Sequence, residues 1–389
     1  MTGQFSYLQF LRRTPTEFLE KYFNSKKLEL NIDFKKLGKS QETIIFEAIK
    51  ALIDEQQRLV EADFQNINAM ACEGGIAALI DEANYHDDFK CTESISAIDG
   101  FHAKALWAFL ERNDYWRAAT MFLHADNVCA SYWKKRDDLP QSTPLVEKQY
   151  IAEFEKAISD FFYRKEGRGR NYQVEVYRRY NKEYSFAYPE DFGQSEVEWV
   201  SSKLKTRAYH PAFEIIFVYC QDENSLDIYA PKNNKALAEL QKIFAQTILK
   251  LSDFNETVPD KPVYNLEPMI DPNFEFTIEP NSGITDVVIN KLRLTFKYGL
   301  KQRITLEAGT SKAPKAIYDL LQKIHSPPYY VTQVRIKVTF EPKEGKRAQT
   351  RTFSISHPSY CSLNHDGNDI VIRNMLTKPG IEPRKNGIA

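Results

Sequence analysis

The residues best placed for chemistry in this 389-residue chain are basic side chains at strand spacing. In Leu292-Arg293-Leu294-Thr295-Phe296-Lys297, apolar residues alternate with Arg293, Thr295 and Lys297. Val334-Arg335-Ile336-Lys337-Val338-Thr339 repeats the pattern with Arg335, Lys337 and Thr339. Successive side chains of a strand face opposite ways, so each segment predicts one apolar face and one of Arg, Lys and Thr. Such a face suits phosphate oxygens, the source of most sequence-independent affinity for nucleic acid. It equally suits the solvated side of an antiparallel sheet. On this reading the face carries no aromatic residue on which an unpaired base could stack.

A second basic cluster does contain aromatics. Seven Lys and Arg residues between Arg164 and Lys182 lie among Tyr163, Tyr172, Tyr177 and Tyr180. Arg168, Arg170, Tyr177, Arg178 and Arg179 therefore join Arg293, Lys297, Arg335 and Lys337 as expected nucleic-acid contacts, with arginine on phosphate and tyrosine on a base. The alternative is a basic turn leading into an edge hairpin protected by charge. His357, Cys361 and His365 lie four apart and are zinc-ligand types, an alternative use of that segment. No phosphate-binding glycine loop, dinucleotide fingerprint, Gly-x-Ser-x-Gly or His-Glu-x-x-His occurs, so no cofactor is expected and the reading leans away from an enzyme.

These residues must be held by elements that change character along the chain. Up to about residue 165 the apolar spacing is helical. Thr14-Pro15-Thr16-Glu17 opens a helix, a long helix is expected over 41–71, and two more over 98–112 and 115–136. A last helix from Thr143-Pro144 carries Phe154, Ile158 and Phe162. Beyond Gly167-Arg168-Gly169 the period becomes two. Hairpins are expected at 173–188 and 213–230, with helices at 197–207 and 234–251; strands at 287–307 and 332–357 enclose a helix at 312–324, and another helix covers 368–377. The fold class is α+β multidomain: an acidic helical domain (1–165), a ββαββα-type unit (170–252), a linker (253–284) and a second, basic ββαββα-type unit (285–381).

On the helix expected over 115–136, Arg117 and His124 are seven apart and share a face. This spacing resembles the Arg-x4–6-His motif of HEPN-type RNases, which are helical proteins. The resemblance covers two residues, and Ala118 stands where those enzymes often carry a polar residue. It implies Arg117 on phosphate charge and His124 in acid–base cleavage.

Charge is distributed unevenly. Residues 1–160 hold 19 Lys and Arg against 26 Asp and Glu, whereas residues 261–389 hold 19 against 12. Such polarity points to different partners at the two ends, or to one end facing the other. The five cysteines are scattered and form no Cys-x-x-Cys, which predicts thiols in a reducing compartment, and neither a signal peptide nor a membrane span is expected. The combined expectation is a cytoplasmic, non-enzymatic adaptor. Its basic half binds nucleic acid and residues 1–165 bind a protein partner. The alternatives are the RNase and a homo-oligomer without nucleic acid.

Overall fold

The structure is a computed structural model. It describes residues 5–38, 40–129, 132–200, 203–252, 263–297, 302–310, 313–324, 328–342, 348–363 and 367–382. The chain divides into two compact units, Met1–Val128 and Cys129–Ala389. Together they are α+β, a helical region first and mixed sheet and helix afterwards. No helix among the described residues is long and apolar enough to cross a membrane.

The first unit is helical throughout: α1 (Tyr7–Arg13), α2 (Thr16–Ser25), α3 (Gln41–Lys50), α4 (Asp54–Met70), α5 (Glu73–Tyr85), α6 (Phe89–Ala97), α7 (Phe101–Glu111) and α8 (Asn113–Asn127). Phe10, Tyr22, Phe23 and Phe64 are buried together, with the Phe10 and Phe64 rings 4.5 Å apart. The helix expected over 41–71 is two helices. At the break, the Gln57 amide donates to the carbonyls of Lys50 (3.0 Å) and Leu52 (2.7 Å), which α3 leaves without helical partners. The α4–α5 corner demands glycine, because a Cβ on Gly75 would lie 2.3 Å from the Met70 carbonyl oxygen.

In the second unit, the helix expected to run to Arg136 has already ended at Asn127, and Trp133–Arg136 forms a strand, β1. The residues from Thr143 do not start a helix either; α9 spans Lys148–Glu166. Then follow β2 (Val174–Arg179), β3 (Lys182–Ala187), β4 (Gln194–Val200), β5 (Lys203–Tyr209), β6 (Ile215–Cys220), β7 (Ser225–Tyr229) and α10 (Leu237–Thr247). The first five-stranded sheet has the order β1-β7-β6-β3-β2. Phe154, Ile158 and Phe162 of α9 and Leu240 and Phe244 of α10 share one core with Phe217 of β6, so α9 belongs with the sheet rather than with the helical unit. The expected helix at 197–207 is instead the antiparallel pair β4–β5. The first ββαββα pattern therefore has a hairpin where its middle helix was expected.

The second sheet has the order β12-β11-β10-β8-β9, from β8 (Ile284–Phe296), β9 (Arg303–Glu307), β10 (Tyr329–Phe340), β11 (Thr350–Ser356) and β12 (Tyr360–Cys361). Helices α11 (Ala316–Gln322) and α12 (Gly367–Thr377) supply Ile317, Tyr318, Ile372 and Leu376 to its core. Tyr264, Leu266 and Met269, in the segment expected to be a linker, are buried in that core as well.

A buried ion cluster lies where the two sheets meet. The backbone N–H of Lys135 on β1 donates to the Ser359 carbonyl beside β12 (3.2 Å). Its ammonium is 2.7 Å from Glu223 and 3.8 Å from Glu382, with its side chain 3% exposed. Glu382 also accepts from Arg373 of α12. Burial opposes the charge of Lys135, but Glu223, Asp227 and Glu382 outweigh it and hold the ammonium well above the ordinary lysine range. Burial opposes the Glu223 carboxylate too, yet Lys135 and Lys182 keep it well below the ordinary range.

Candidate functional site

Register in the second sheet decides which side chains share a face. Residues paired directly across an antiparallel ladder lie on the same side, as do residues two apart in one strand. Leu292 faces Leu306 and Val334, and Ile336 faces Phe353; this is the core side. On the opposite side Lys291 pairs with Arg335 and Glu307, Arg293 with Gln333 and Thr305, and Arg303 with Thr295. Arg335 and Lys337 face Ser354 and Thr352 of β11. The fold thus gathers Lys291, Arg293, Arg303, Arg335 and Lys337 on one face. Glu307, and Asp286 at one end, are the acids on it. Lys297 follows β8 and is exposed.

The five cations differ in what already holds them. Arg335 Nε donates to the Asn290 side-chain oxygen (2.9 Å), and its Nη2 donates to Glu307. That hydrogen bond, with the arginine charge, lowers the Glu307 carboxyl below its ordinary value. Lys291 stands 3.9 Å from the same carboxylate. Asn290 is available because β8 carries an extra residue there, shown by the register shift between Arg335 and Ile336. Arg335 is therefore oriented and half neutralised. Arg293, Arg303 and Lys337 have no ion pair among the described residues. Two aromatic residues do stand on this side of the sheet, contrary to expectation: Tyr360 of β12 pairs with Ser356, which pairs with Gln333, and Tyr330 pairs with Thr295, its ring 6.3 Å from that of His357. The Tyr330 and His357 rings are half-buried at one end of the face.

Lys291 and Arg303 escaped the sequence reading. The signal for Lys291 was its place two residues before Arg293. For Arg303 it was the alternation of Arg303-Ile304-Thr305-Leu306-Glu307.

The basic cluster at 164–182 is arranged differently. Arg168 donates to Glu166 (2.7 Å), Asp191 (3.0 Å) and Asn233 (2.8 Å), and its guanidinium sits 4.0 Å from the centre of the Phe213 ring. It is a bolt for its loop, with its donors already engaged. Gly169 completes the turn at φ +84°, where a Cβ would come within 3.0 Å of Phe162. Arg179 is buried, the Tyr177 hydroxyl donates to Glu175 (2.6 Å), and Arg178 stands 3.4 Å from Glu183. Arg170 is exposed and lines a cleft of about 570 Å³ with Tyr163, Glu190, Asp191, Phe192 and His210.

Arg117 and His124 lie on the exposed side of α8 in the helical unit, about 10 Å apart along the axis. Cys361 is buried on β12, where burial pushes its thiol up to about 11. His357 precedes that strand, and His365 lies outside the described residues. Among the described residues no group of three His, Cys, Asp or Glu could hold a metal ion. All five cysteines are free thiols. No family model matches this chain, and no curated protein matches it.

Proposed function

We propose that this protein binds nucleic acid through the outer face of β8, β9, β10 and β11, without itself catalysing a reaction. The observation that carries the reading is the register that places Lys291, Arg293, Arg303, Arg335 and Lys337 on one side of one sheet. Five cations against two acids make that face a phosphate surface, and Thr305, Thr352 and Ser354 between them add hydroxyl donors. Tyr330 offers one ring for an unpaired base at the edge. Arg168, Arg179 and Tyr177 have no part in this reading, because their polar groups are engaged or buried within the first sheet's half. The helical unit is acidic, with 14 Lys and Arg against 20 Asp and Glu in residues 1–128, and is the half assigned to a protein partner. The free thiols fit a cytoplasmic setting.

The test is salt-dependent affinity. If Arg293, Arg303 and Lys337 each neutralise one phosphate, the slope of log K against log salt is about −2.7 for duplex and about −2 for single strands. Lys337→Ala reduces the magnitude of the slope by about one contact and weakens binding to different sequences alike. Fluorescence anisotropy with labelled duplex and single-stranded oligonucleotides at two salt concentrations reads both quantities. Absence of affinity at the lower salt, or an unchanged slope in Lys337→Ala, removes the proposal.

A further inference from the structure

The pair β4–β5 is the outer half of one long hairpin. Its inner strands, β3 and β6, are neighbours in the first sheet. The Phe213 N–H to Pro189 carbonyl bond (2.9 Å) and the Glu190–Ala212 bridge continue the ladder beyond them. From Gln194 and Tyr209 the two strands go on alone, and among the described residues no third strand pairs with either. Seven residues per strand make an arm about 23 Å long.

The two faces of this arm are sharply different. Val197 (63% exposed) and Trp199 (69%) lie on one face, with Leu204 (59%) directly opposite Trp199. The other face carries Glu196 opposite Arg207 and Glu198 opposite Lys205, and the Tyr209 hydroxyl donates to Glu196 (2.7 Å). A two-stranded ribbon is marginal in water until its apolar face packs on a second layer.

We infer that the second layer is the same arm of a second copy of this chain, the two ribbons stacking apolar face to apolar face. The charge pattern disfavours the edge-to-edge alternatives and leaves the apolar face as the contact. The acids, Glu196 and Glu198, are on β4, and the bases, Lys203, Lys205 and Arg207, are on β5. Joining two copies edge to edge through β4 would set acid beside acid, and through β5 base beside base; both are unfavourable. Stacking about a two-fold axis parallel to the strands lays β4 of one copy over β5 of the other. Trp199 of one copy then meets Leu204 of the other, the charged side chains of both copies stay on the outer, solvent-facing sides, and the pair is closed. A nucleic acid is a poorer occupant, because the face that bears Trp199 carries no cation, and on the face behind it Lys205 and Arg207 stand opposite Glu198 and Glu196.

Strand length and the 4.8 Å strand spacing give a contact of roughly 220 Å² per copy. That is under half of the ~800 Å² per partner of a standard interface, so the association is weak and dependent on concentration.

Sedimentation velocity from about 1 to 200 μM tests this, a range chosen to bracket micromolar affinity. Tryptophan emission is read in parallel. Trp199 is a good reporter because Trp116 and Trp133 are buried and Trp107 is half-buried. The expected result is a monomer–dimer equilibrium with a blue shift on association. Leu204→Glu abolishes it, Glu198→Gln on the other face leaves it in place, and Trp199→Phe keeps the dimer while losing most of the shift. Far-UV circular dichroism confirms that each variant is folded. A monomer at every concentration, a dimer indifferent to Leu204→Glu, or species larger than a dimer would overturn the inference. So would an emission shift caused by added oligonucleotide at a concentration where the protein is monomeric, since that gives the face another occupant.

Discussion

Replacing Lys135 with Met should cost the second unit about 3 kcal/mol, and the reason lies in what would be left behind. Removing one partner of a buried ion pair typically costs 3–5 kcal/mol, because the other charge stays buried without compensation. The side chains of Lys135, Glu223 and Glu382 are 3%, 14% and 5% exposed, so solvent cannot take over the lost charge. Two features keep the loss near the lower bound: Glu382 retains Arg373, and Glu223 retains the Ser225 hydroxyl (3.2 Å) and the nearby charge of Lys182. For a unit of this size, about 3 kcal/mol corresponds to a Tm lower by about 6–12 °C. Scanning calorimetry would follow the transition of the second unit, and urea unfolding gives the free energy independently. The decisive variant is the double one. If the penalty is an orphaned carboxylate, adding Glu223→Gln to Lys135→Met recovers half or more of the loss, a coupling of about 1.5 kcal/mol or larger. Additive costs in the double variant, or a single-variant cost below about 1 kcal/mol, would show that the cluster is solvated and the argument mistaken.

Two further outcomes follow from single residues. His102 in the helical unit is buried, with a ring nitrogen 3.3 Å from Asn68, and burial lowers its pKa below the ordinary 6.5. A depressed histidine contributes stability above its unfolded value that is lost as pH falls, so the helical unit should weaken below about pH 6.5, by at most about 1.4 kcal/mol per pH unit; urea titrations at several pH values should show a flatter profile in His102→Gln. Arg168→Lys keeps a charge but loses the planar fork that reaches Glu166, Asp191 and Asn233, and should cost about 2 kcal/mol. Amide exchange in the loop around Gly169 should quicken, while oligonucleotide affinity stays unchanged if the second sheet is the binding face.

How far the sequence could be read depended on whether a residue's partners were local. The alternation at 292–297 and 334–339 identified strands and their polar sides correctly, because a half-buried sheet imposes a period of two on its own residues. The same logic failed at 194–209. Val197, Val200 and Leu204 are spaced three and four apart and so satisfy a helical period, while Val197 and Trp199 alternate with Glu196 and Glu198 and so satisfy a strand period. Continuity with β3 and β6 decides between them, and pairing across the chain is invisible in a local window. Trp133-Lys134-Lys135-Arg136 has no strand signature; it is a strand because the edge of β7 is there to pair with.

Charge shows the same division more sharply. As a line of letters, Arg164 to Lys182 is a dense basic stretch, yet Arg168 is answered by Asp191 and Asn233, 23 and 65 residues away. The thinner spacing of Arg293, Arg335 and Lys337 becomes the stronger surface once β9 brings Arg303 alongside and the bulge at Asn290 orients Arg335. A basic residue is available to a partner when the fold leaves its donors unanswered. That depends on which distant carboxylates arrive beside it, so the density of charge along the chain measures the supply of cations and not their freedom to bind.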